Sequence, residues 1–121
     1  MQKITRKACK AFLEGTSYTN DNTEVRIDTD TAGMYLHGNL IARHRLDNHN
    51  IRIRHAGYRT HTTKNRLRGI SKVLRIDHDI DAPMVRQEGG VWYLGDTEFD
   101  ELAGTGGWVT LLKPNAVDAL K

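Results

Sequence analysis

Alternation of apolar and polar residues across residues 33–54 constrains the fold of this chain more than any other feature of its sequence. A period of two is typical of strands that bury one face. His37-Gly38-Asn39 predicts a three-residue hairpin loop between two such strands. This loop places four apolar side chains on one face in two cross-strand pairs, Leu36 with Leu40 and Met34 with Ala42. A slip of one residue would reverse the faces, so the apolar match selects this register.

A second turn signal, Asp47-Asn48-His49-Asn50, leads into a third strand and brings four arginines together. Pairing Leu46 with Ile51 continues the apolar face, and the opposite face then carries the arginines. Their cross-strand pairs are Arg43 with Arg54 and Arg45 with Arg52. Like charges opposite one another destabilise a sheet. An anionic partner would offset this repulsion, because arginine suits the geometry of phosphate and carboxylate groups.

The distribution of charge along the chain leaves two explanations open for these arginines. Residues 1–75 hold 15 Lys and Arg against 6 Asp and Glu, whereas residues 76–121 hold 3 against 9. Such asymmetry indicates either a surface that binds a polyanion or two halves that neutralise each other across the fold. In the second case, the arginines pair with acids of the C-terminal part: Asp77, Asp79, Asp81, Asp96, Glu98, Asp100 and Glu101.

The sequence predicts two helices. Thr5 can cap the first helix, which ends at Gly15. The second helix begins at Thr62 or Thr63 and runs to about Leu74. Four of its cations share one face: Lys64, Arg68, Lys72 and Arg75. Lys64, Arg66 and Arg68 lie in or near its first two turns, by the free amides, which indicates a further anion-binding region.

Short strands are predicted at four places in the C-terminal part: around residues 73–80, 84–87, 91–94 and 108–112. In the first of these strands, alternation would align the carboxylates of Asp77, Asp79 and Asp81. A metal-dependent nuclease could use such a row to bind magnesium. Charge compensation is the favoured interpretation, because no lysine or glutamate pattern accompanies the row. Pro114 is expected to begin a short terminal helix or tail.

Length and composition define the class of molecule. With 121 residues, 38% of them hydrophobic, the chain is predicted to form a single domain over residues 1–121. The expected fold is α+β: an N-terminal helix, a three- to four-stranded antiparallel meander, a second, basic helix and a small C-terminal β section. Neither a membrane span nor a signal peptide is recognisable, so a cytoplasmic location is expected. Cys9 is the only cysteine, and its lysine neighbours predict a lowered thiol pKa.

Four segments resemble small uncharacterised accessory proteins encoded by tailed bacteriophages. They are residues 22–25, 36–42, 62–69 and 91–95, and they include Leu36-His37-Gly38-Asn39 and Val91-Trp92-Tyr93-Leu94. Arg68 and Gly95-Asp96 depart from the family pattern, in which asparagine precedes the helix glycine and asparagine-glycine follows Trp-Tyr-Leu. The resemblance implies a viral accessory protein that acts in the cytoplasm of a bacterial host, and it carries over no catalytic or binding residue.

These observations predict a non-enzymatic protein that binds a polyanion, either nucleic acid or a phosphorylated ligand, without a cofactor or metal. Tyr35 and Tyr58 are candidate platforms for base stacking, whereas Trp92 and Trp108 are assigned to the core or to a partner interface. The alternative is a stoichiometric inhibitor that docks on a host defence or regulatory protein, and a metal-dependent nuclease is less favoured. The cations predicted to bind the anion are Arg43, Arg45, Arg52, Arg54, Lys64, Arg68 and Lys72.

Overall fold

Two long helices pack on one face of a six-stranded antiparallel sheet in the computed structural model, which describes residues 2–117 and Leu120. The elements in chain order are α1 (Lys3–Glu14), β1 (Tyr18–Asn20), β2 (Thr23–Asp28), β3 (Thr31–Leu36), β4 (Asn39–Arg45), β5 (Asn50–Ile53), α2 (His61–His78), β6 (Val85–Glu88), β7 (Val91–Leu94), β8 (Thr97–Glu98), α3 (Phe99–Leu102) and β9 (Val109–Leu112). The large sheet has the order β1-β2-β3-β4-β5-β9, and β6-β7-β8 form a smaller one. The predicted α+β class is confirmed.

The hydrophobic core lies between the long helices and the face of the large sheet that they cover, called here the inner face. Phe12 of α1, Met34 of β3 and Leu67 of α2 are fully buried in it. The opposite face of this sheet, called the outer face, is left uncovered by the two helices. Among the described residues, no helix is both long and apolar enough to cross a membrane.

α1 has Gln2 as its N-cap, so the predicted cap at Thr5 is wrong. Thr5 lies inside the helix, where its buried hydroxyl oxygen accepts a hydrogen bond of 2.6 Å from the Arg66 guanidinium. Gly15 ends the helix as predicted, in the left-handed conformation with a φ of 75°. The sequence thus predicts the end of α1 correctly. The residue predicted as its N-cap, Thr5, instead makes a tertiary contact with Arg66.

The β3–β4 hairpin turns over two residues, not three. His37 and Gly38 form the turn with φ angles of 51° and 81°, and Leu36 pairs with Asn39. Positive φ at both central residues is the type I′ geometry, whose twist matches that of the flanking strands. The predicted pairing of Leu36 with Leu40 is therefore wrong.

A β-bulge restores the predicted register further along these two strands. Tyr35 pairs with Leu40, but Met34 pairs with Ala42, as predicted, because Ile41 is an additional residue on β4. Ile41 and Ala42 are both buried in the core. Leu40 accompanies Tyr35 on the outer face, so its predicted place on the apolar face is wrong.

β4 and β5 pair two residues away from the predicted register. Arg43 lies opposite Arg52, and Arg45 lies opposite Asn50. The turn closes earlier than predicted, because the His49 N–H donates to the Arg45 carbonyl at 2.7 Å. Both predicted arginine pairs are wrong. A shift of two residues nevertheless keeps every side chain on its predicted face, so Arg43, Arg45, Arg52 and Arg54 share one face as expected.

α2 begins at His61, before its predicted start, and continues through most of the segment predicted as a strand at residues 73–80. Thr60 is the N-cap, and its side-chain oxygen accepts a hydrogen bond of 3.1 Å from the Thr63 amide. The helix extends because buried apolar residues of its last turns continue the inward stripe. Asp79 then ends it in the left-handed conformation, with a φ of 54°.

The predicted row of aspartates does not form. Asp77 pairs with Arg6 at 3.2 Å, Asp79 caps the end of α2, and Asp81 pairs with Arg75 at 3.6 Å. Within the part of the chain that the structure describes, no three His, Cys, Asp or Glu side chains are grouped as a metal site requires. Charge compensation is therefore the better interpretation of Asp77 and Asp81.

The smaller sheet contains the strands predicted around residues 84–87 and 91–94. β6 and β7 form a hairpin around Gly89 and Gly90, which have φ angles of 58° and 80°. Trp92 is only 4% exposed, which confirms its assignment to the core. β1, β8 and α3 were not predicted. Pro114 begins no helix over residues 114–117, and the rest of the predicted tail at residues 118, 119 and 121 lies outside the described residues.

Candidate functional site

The outer face collects the four strand arginines that the sequence singles out. Alternation along β4 and β5 places Arg43, Arg45, Arg52 and Arg54 there, beside Tyr35 of β3. Arg45 and Arg52 are exposed, whereas Arg43 and Arg54 are half-buried. Because α1 and α2 lie on the other side of the sheet, these four cations share one surface that solvent can reach.

Arg43 and Arg52 face each other directly across β4 and β5. Like charges in such a pair destabilise a sheet. Among the described residues, no carboxylate oxygen lies within the 4.0 Å of an ion pair from either guanidinium, whereas Arg45 has Asp47 at 3.3 Å. The Arg43–Arg52 pair is therefore a concentration of positive charge that the described part of the protein does not neutralise.

Trp108 lies on the outer face among the arginines. Of the two places predicted for it, the core is therefore wrong, and a partner interface stays a prediction. The centroid of its indole ring lies 4.7 Å from the guanidinium carbon of Arg43 and 4.4 Å from that of Arg54. Arg54 is fixed further by a hydrogen bond of 2.9 Å from its Nε to the Leu40 carbonyl. Trp108 precedes β9, which pairs with β5, and sheet pairing thus brings this ring beside arginines far away in the sequence.

Tyr35 supplies a second aromatic ring on the outer face, as predicted. The guanidinium carbon of Arg26 lies 4.2 Å from the centre of the Tyr35 ring, and Arg26 also pairs with Glu24 at 2.9 Å. The hydrogen bond from Arg26 lowers the pKa of the Glu24 carboxyl group. Tyr58, the other predicted platform, lies apart from the outer face and lines a cavity at the start of α2 with Thr60.

Three shallow cavities lie next to one another along the outer face, and this row of cavities is called here the groove. The central cavity, of about 550 Å³, is lined by Arg26, Tyr35 and Arg43, and also by the acid Asp28. It shares Arg43 with a cavity of about 280 Å³ that includes Arg52. It shares Tyr35 with a cavity of about 530 Å³ that includes Arg54. Arginines therefore line each of the three neighbouring cavities.

Acids of the C-terminal part neutralise arginines elsewhere in the molecule. Asp100 pairs with Arg59, and Asp96 lies 4.0 Å from Arg86. Asp77 and Asp81 pair with arginines outside the large sheet, as described above. Over residues 2–117, no ion pair joins a C-terminal acid to an outer-face arginine. Mutual neutralisation of the two halves therefore does not account for the charge of the outer face.

The cations of α2 lie away from the outer face. Lys64 Nζ donates to Gln87 Oε1 at 3.0 Å, and Arg68 Nη1 donates to the Val85 carbonyl at 3.2 Å. Both acceptors belong to β6. Lys72 lines a cleft together with Arg68. The seven cations predicted to bind an anion are thus divided into four on the outer face and three on α2, on opposite sides of the sheet.

A family model described as Kyanoviridae Gp96 protein matches residues 1–110, which include Trp108 and every outer-face arginine. The chain belongs to the Kyanoviridae Gp96 protein family. Kyanoviridae are phages of the cyanophage myovirus type, so the resemblance to accessory proteins of tailed bacteriophages is confirmed. No curated protein and no solved structure matches the chain.

Cys9 of this Gp96 family member is buried and is not a reactive thiol. Its Sγ lies 3.5 Å from the Arg66 carbonyl oxygen. Burial raises the pKa of Cys9 to about 12, against the opposing effect of the Arg66 charge. The prediction of a lowered thiol pKa is therefore wrong, because desolvation of a thiolate outweighs the attraction of nearby cations.

His55 and Asp100 form a polar contact at the edge of the groove. His55 Nε2 lies 3.0 Å from Asp100 Oδ1, and His55 Nδ1 lies 3.0 Å from the Gly57 N–H. The N–H groups fix the roles: Nδ1 accepts from Gly57, and Nε2–H donates to the carboxylate. The hydrogen bond from His55, followed by the charge of Arg59, lowers the pKa of Asp100. Both ring nitrogens of His55 are therefore hydrogen-bonded within the Gp96 fold.

Proposed function

We propose that this Gp96 family member is a non-enzymatic protein that binds single-stranded nucleic acid along the outer-face groove, in the cytoplasm of the infected cell. One observation carries the proposal. The unneutralised pair of Arg43 and Arg52 lies in an open groove, on the two strands between those that bring Tyr35 and Trp108 to the same face.

The energetics of the arginine pair favour an anionic ligand. A cross-strand pair of like charges destabilises a sheet when the two residues lie directly opposite each other. A phosphate placed between Arg43 and Arg52 would replace this repulsion with charge-assisted hydrogen bonds, each worth about 1.5–3 kcal/mol. The ligand that relieves the repulsion most is therefore one that offers a phosphate oxygen to each guanidinium.

The shape of the outer face favours a single strand over a duplex. The major groove of DNA is about 12 Å wide and admits a helix or a two-stranded ribbon. Six strands spaced by about 4.8 Å form a surface roughly 24 Å across, which cannot enter that groove. An extended strand fits better, because the seven residues of β4 give the groove a length of roughly 23 Å.

The aromatic residues supply the stacking contacts that proteins use to bind single strands without sequence preference. Stacking of a base on an aromatic side chain contributes about 1–3 kcal/mol. Tyr35 and Trp108 offer two such rings. Arg43 and Arg54 lie against Trp108, and their planar guanidinium groups can extend the stack because bases stack on arginine as well.

Fluorescence anisotropy with labelled single-stranded DNA and RNA oligonucleotides tests the charge contribution. Arg43→Gln with Arg52→Gln should lower the affinity about ten-fold or more, since tenfold corresponds to about 1.4 kcal/mol. Lys3→Gln with Lys10→Gln removes the same charge from the exposed surface of α1 and should leave the affinity within about two-fold. Equal losses in both double variants would contradict a role specific to the outer face.

Intrinsic fluorescence tests the stacking contribution independently. Trp92 is buried, whereas Trp108 is half-buried on the outer face against Arg43 and Arg54, so an oligonucleotide should quench the emission of Trp108 alone. Trp108→Phe should abolish the quenching while binding persists. A wild-type protein that binds no oligonucleotide at low salt, but retains a host protein from nuclease-treated lysate, would replace the proposal with stoichiometric inhibition.

A further inference from the structure

A small cleft lies between the first turn of α1 and the middle of α2, on the far side of the sheet from the outer face. Its volume is about 210 Å³. The side chains that line it carry positive charge or neutral hydrogen-bonding groups, and Gly69 adds bare backbone to the wall. The lining residues are Gln2, Thr5, Asn65, Arg68, Gly69 and Lys72.

Arg66 adds a positive charge beneath this cleft. It is 3% exposed, and its guanidinium donates to four neutral oxygens. The acceptors are Thr5 Oγ1 at 2.6 Å, Thr23 Oγ1 at 2.9 Å, Gln2 Oε1 at 3.2 Å and Asn22 Oδ1 at 3.3 Å. Burial lowers the pKa of Arg66, and electrostatic attraction to Cys9, Tyr18 and Asp21 opposes this effect. A buried charge held by neutral groups alone is costly.

The cations at the mouth of the cleft increase this excess of charge. Arg68 and Lys72 are four residues apart on α2, so they project from the same side of the helix and repel each other. Arg68 donates to the Val85 carbonyl, which is neutral. Within the described residues, no carboxylate lies within 4.0 Å of Lys72. Two cations therefore line a space that no acid lines, and the buried charge of Arg66 lies behind its Gln2 and Thr5 wall.

The neutral groups of the cleft can donate hydrogen bonds to an anion. Gln2 and Thr5 use their side-chain oxygens to accept from Arg66. Within the described residues, the Gln2 amide nitrogen and the Thr5 hydroxyl hydrogen have no acceptor, so both can donate to a ligand. Both residues line the cleft. Arg66 thus fixes the orientation of two donors as well as supplying charge.

We propose that this cleft binds a phosphate group, either as inorganic phosphate or as the terminal phosphomonoester of a small molecule. Arg68 and Lys72 provide the charged contacts, and Gln2 and Thr5 provide neutral donors. The volume of the cleft limits the size of the ligand that it can hold. Ligand pockets usually measure about 300–1,000 Å³, so a cleft of about 210 Å³ holds a phosphate group and not a whole nucleotide. This site is independent of the nucleic acid proposed for the outer face.

Thermal unfolding and calorimetric titration with inorganic phosphate, compared with chloride at equal ionic strength, test the proposal. Saturating phosphate should raise the midpoint of unfolding by roughly 5 °C. Lys72→Gln should lower the phosphate affinity about ten-fold or more, and Arg68→Gln should act in the same direction. Lys64→Gln, which removes a charge from α2 outside the cleft, should preserve the response.

Three results would overturn the proposal: equal shifts with phosphate and chloride, the same phosphate response in Lys72→Gln as in the wild type, or loss of oligonucleotide affinity in Lys72→Gln. The last would make the cleft part of the nucleic-acid site. Glycerol 3-phosphate identifies the source of the phosphate. Tighter binding than inorganic phosphate would support a phosphomonoester, and weaker binding would support the free anion.

Discussion

His44 is a titratable ring that the fold places wholly inside the core, and lowering the pH should therefore destabilise the protein through this one side chain. His44 Nδ1 lies 3.1 Å from the Phe12 carbonyl, so it must carry the hydrogen and donate. His44 Nε2 lies 2.9 Å from His49 Nδ1 and accepts from it. Burial, the largest cause, lowers the pKa of His44 from 6.5 to about 4.

The sign of the effect follows from where the proton binds. Between about pH 6.5 and pH 4, the unfolded chain takes up a proton on His44 while the folded protein does not. The free energy of unfolding must then decrease as the pH falls. These two pKa values give a loss of about 2 kcal/mol by pH 5 and about 3 kcal/mol by pH 4. With a urea m-value of about 2 kcal/mol/M, the midpoint should fall by about 1 M at pH 5.

Urea unfolding of the wild type and of His44→Asn at a series of pH values isolates this contribution. The asparagine amide can still donate to the Phe12 carbonyl but does not titrate. The variant should be less stable near neutral pH, and its deficit should shrink by about 2–3 kcal/mol as the pH falls to about 4. Acidic groups titrate in both proteins and cancel in the difference. A deficit that stays constant over this range would refute the reasoning.

Three further experiments test other parts of the fold. Cys9, whose thiol pKa burial raises to about 12, should react with a thiol reagent only as fast as the protein unfolds, and rapid stoichiometric labelling of the native protein would contradict its burial. Arg66→Met removes a donor from four oxygens, two of them on the buried Thr5 and Thr23, and should cost about 3–5 kcal/mol in urea unfolding, whereas a loss below about 1 kcal/mol would show that the network contributes little. Gly38→Ala, at a φ of 81°, should cost about 1 kcal/mol, and Gly104→Ala, at a φ of −97°, should be nearly neutral in the same assay; equal effects would exclude turn strain as the cause.

The sequence could predict which side chains lie on the outer face, because side chains alternate between the two faces of a strand. The sequence predicts the shared face of Arg43, Arg45, Arg52 and Arg54 because period-two alternation is local. The partner of each arginine is not local. A turn that closes earlier moved the β4–β5 pairing by two residues, and a bulge at Ile41 absorbed the change of turn length in β3–β4. Neither error reversed the faces of the arginines.

The errors in the candidate site arise where sequence-distant contacts decide the outcome. Trp108 joined the arginines because β9 pairs with β5, a pairing that the sequence pattern of residues 108–112 does not specify. The segment at residues 73–80 alternates well enough for a strand, but Val73 and Leu74, which alternation would put on opposite faces, are both buried by helix continuation. The division of the cations between the outer face and α2 also depends on which face of the sheet the helix covers, which periodicity alone does not determine.

The salt dependence of oligonucleotide affinity tests the central claim most directly. Each phosphate of a single strand that a cation neutralises contributes a slope of about −0.7 to the plot of log affinity against log salt concentration. Engagement of Arg43, Arg45, Arg52 and Arg54 predicts a slope of about −3 for the wild type and about −1.4 for the double variant Arg43→Gln with Arg52→Gln. A wild-type slope near zero, or the same slope in both proteins, would contradict the assignment of the outer face as a nucleic-acid surface.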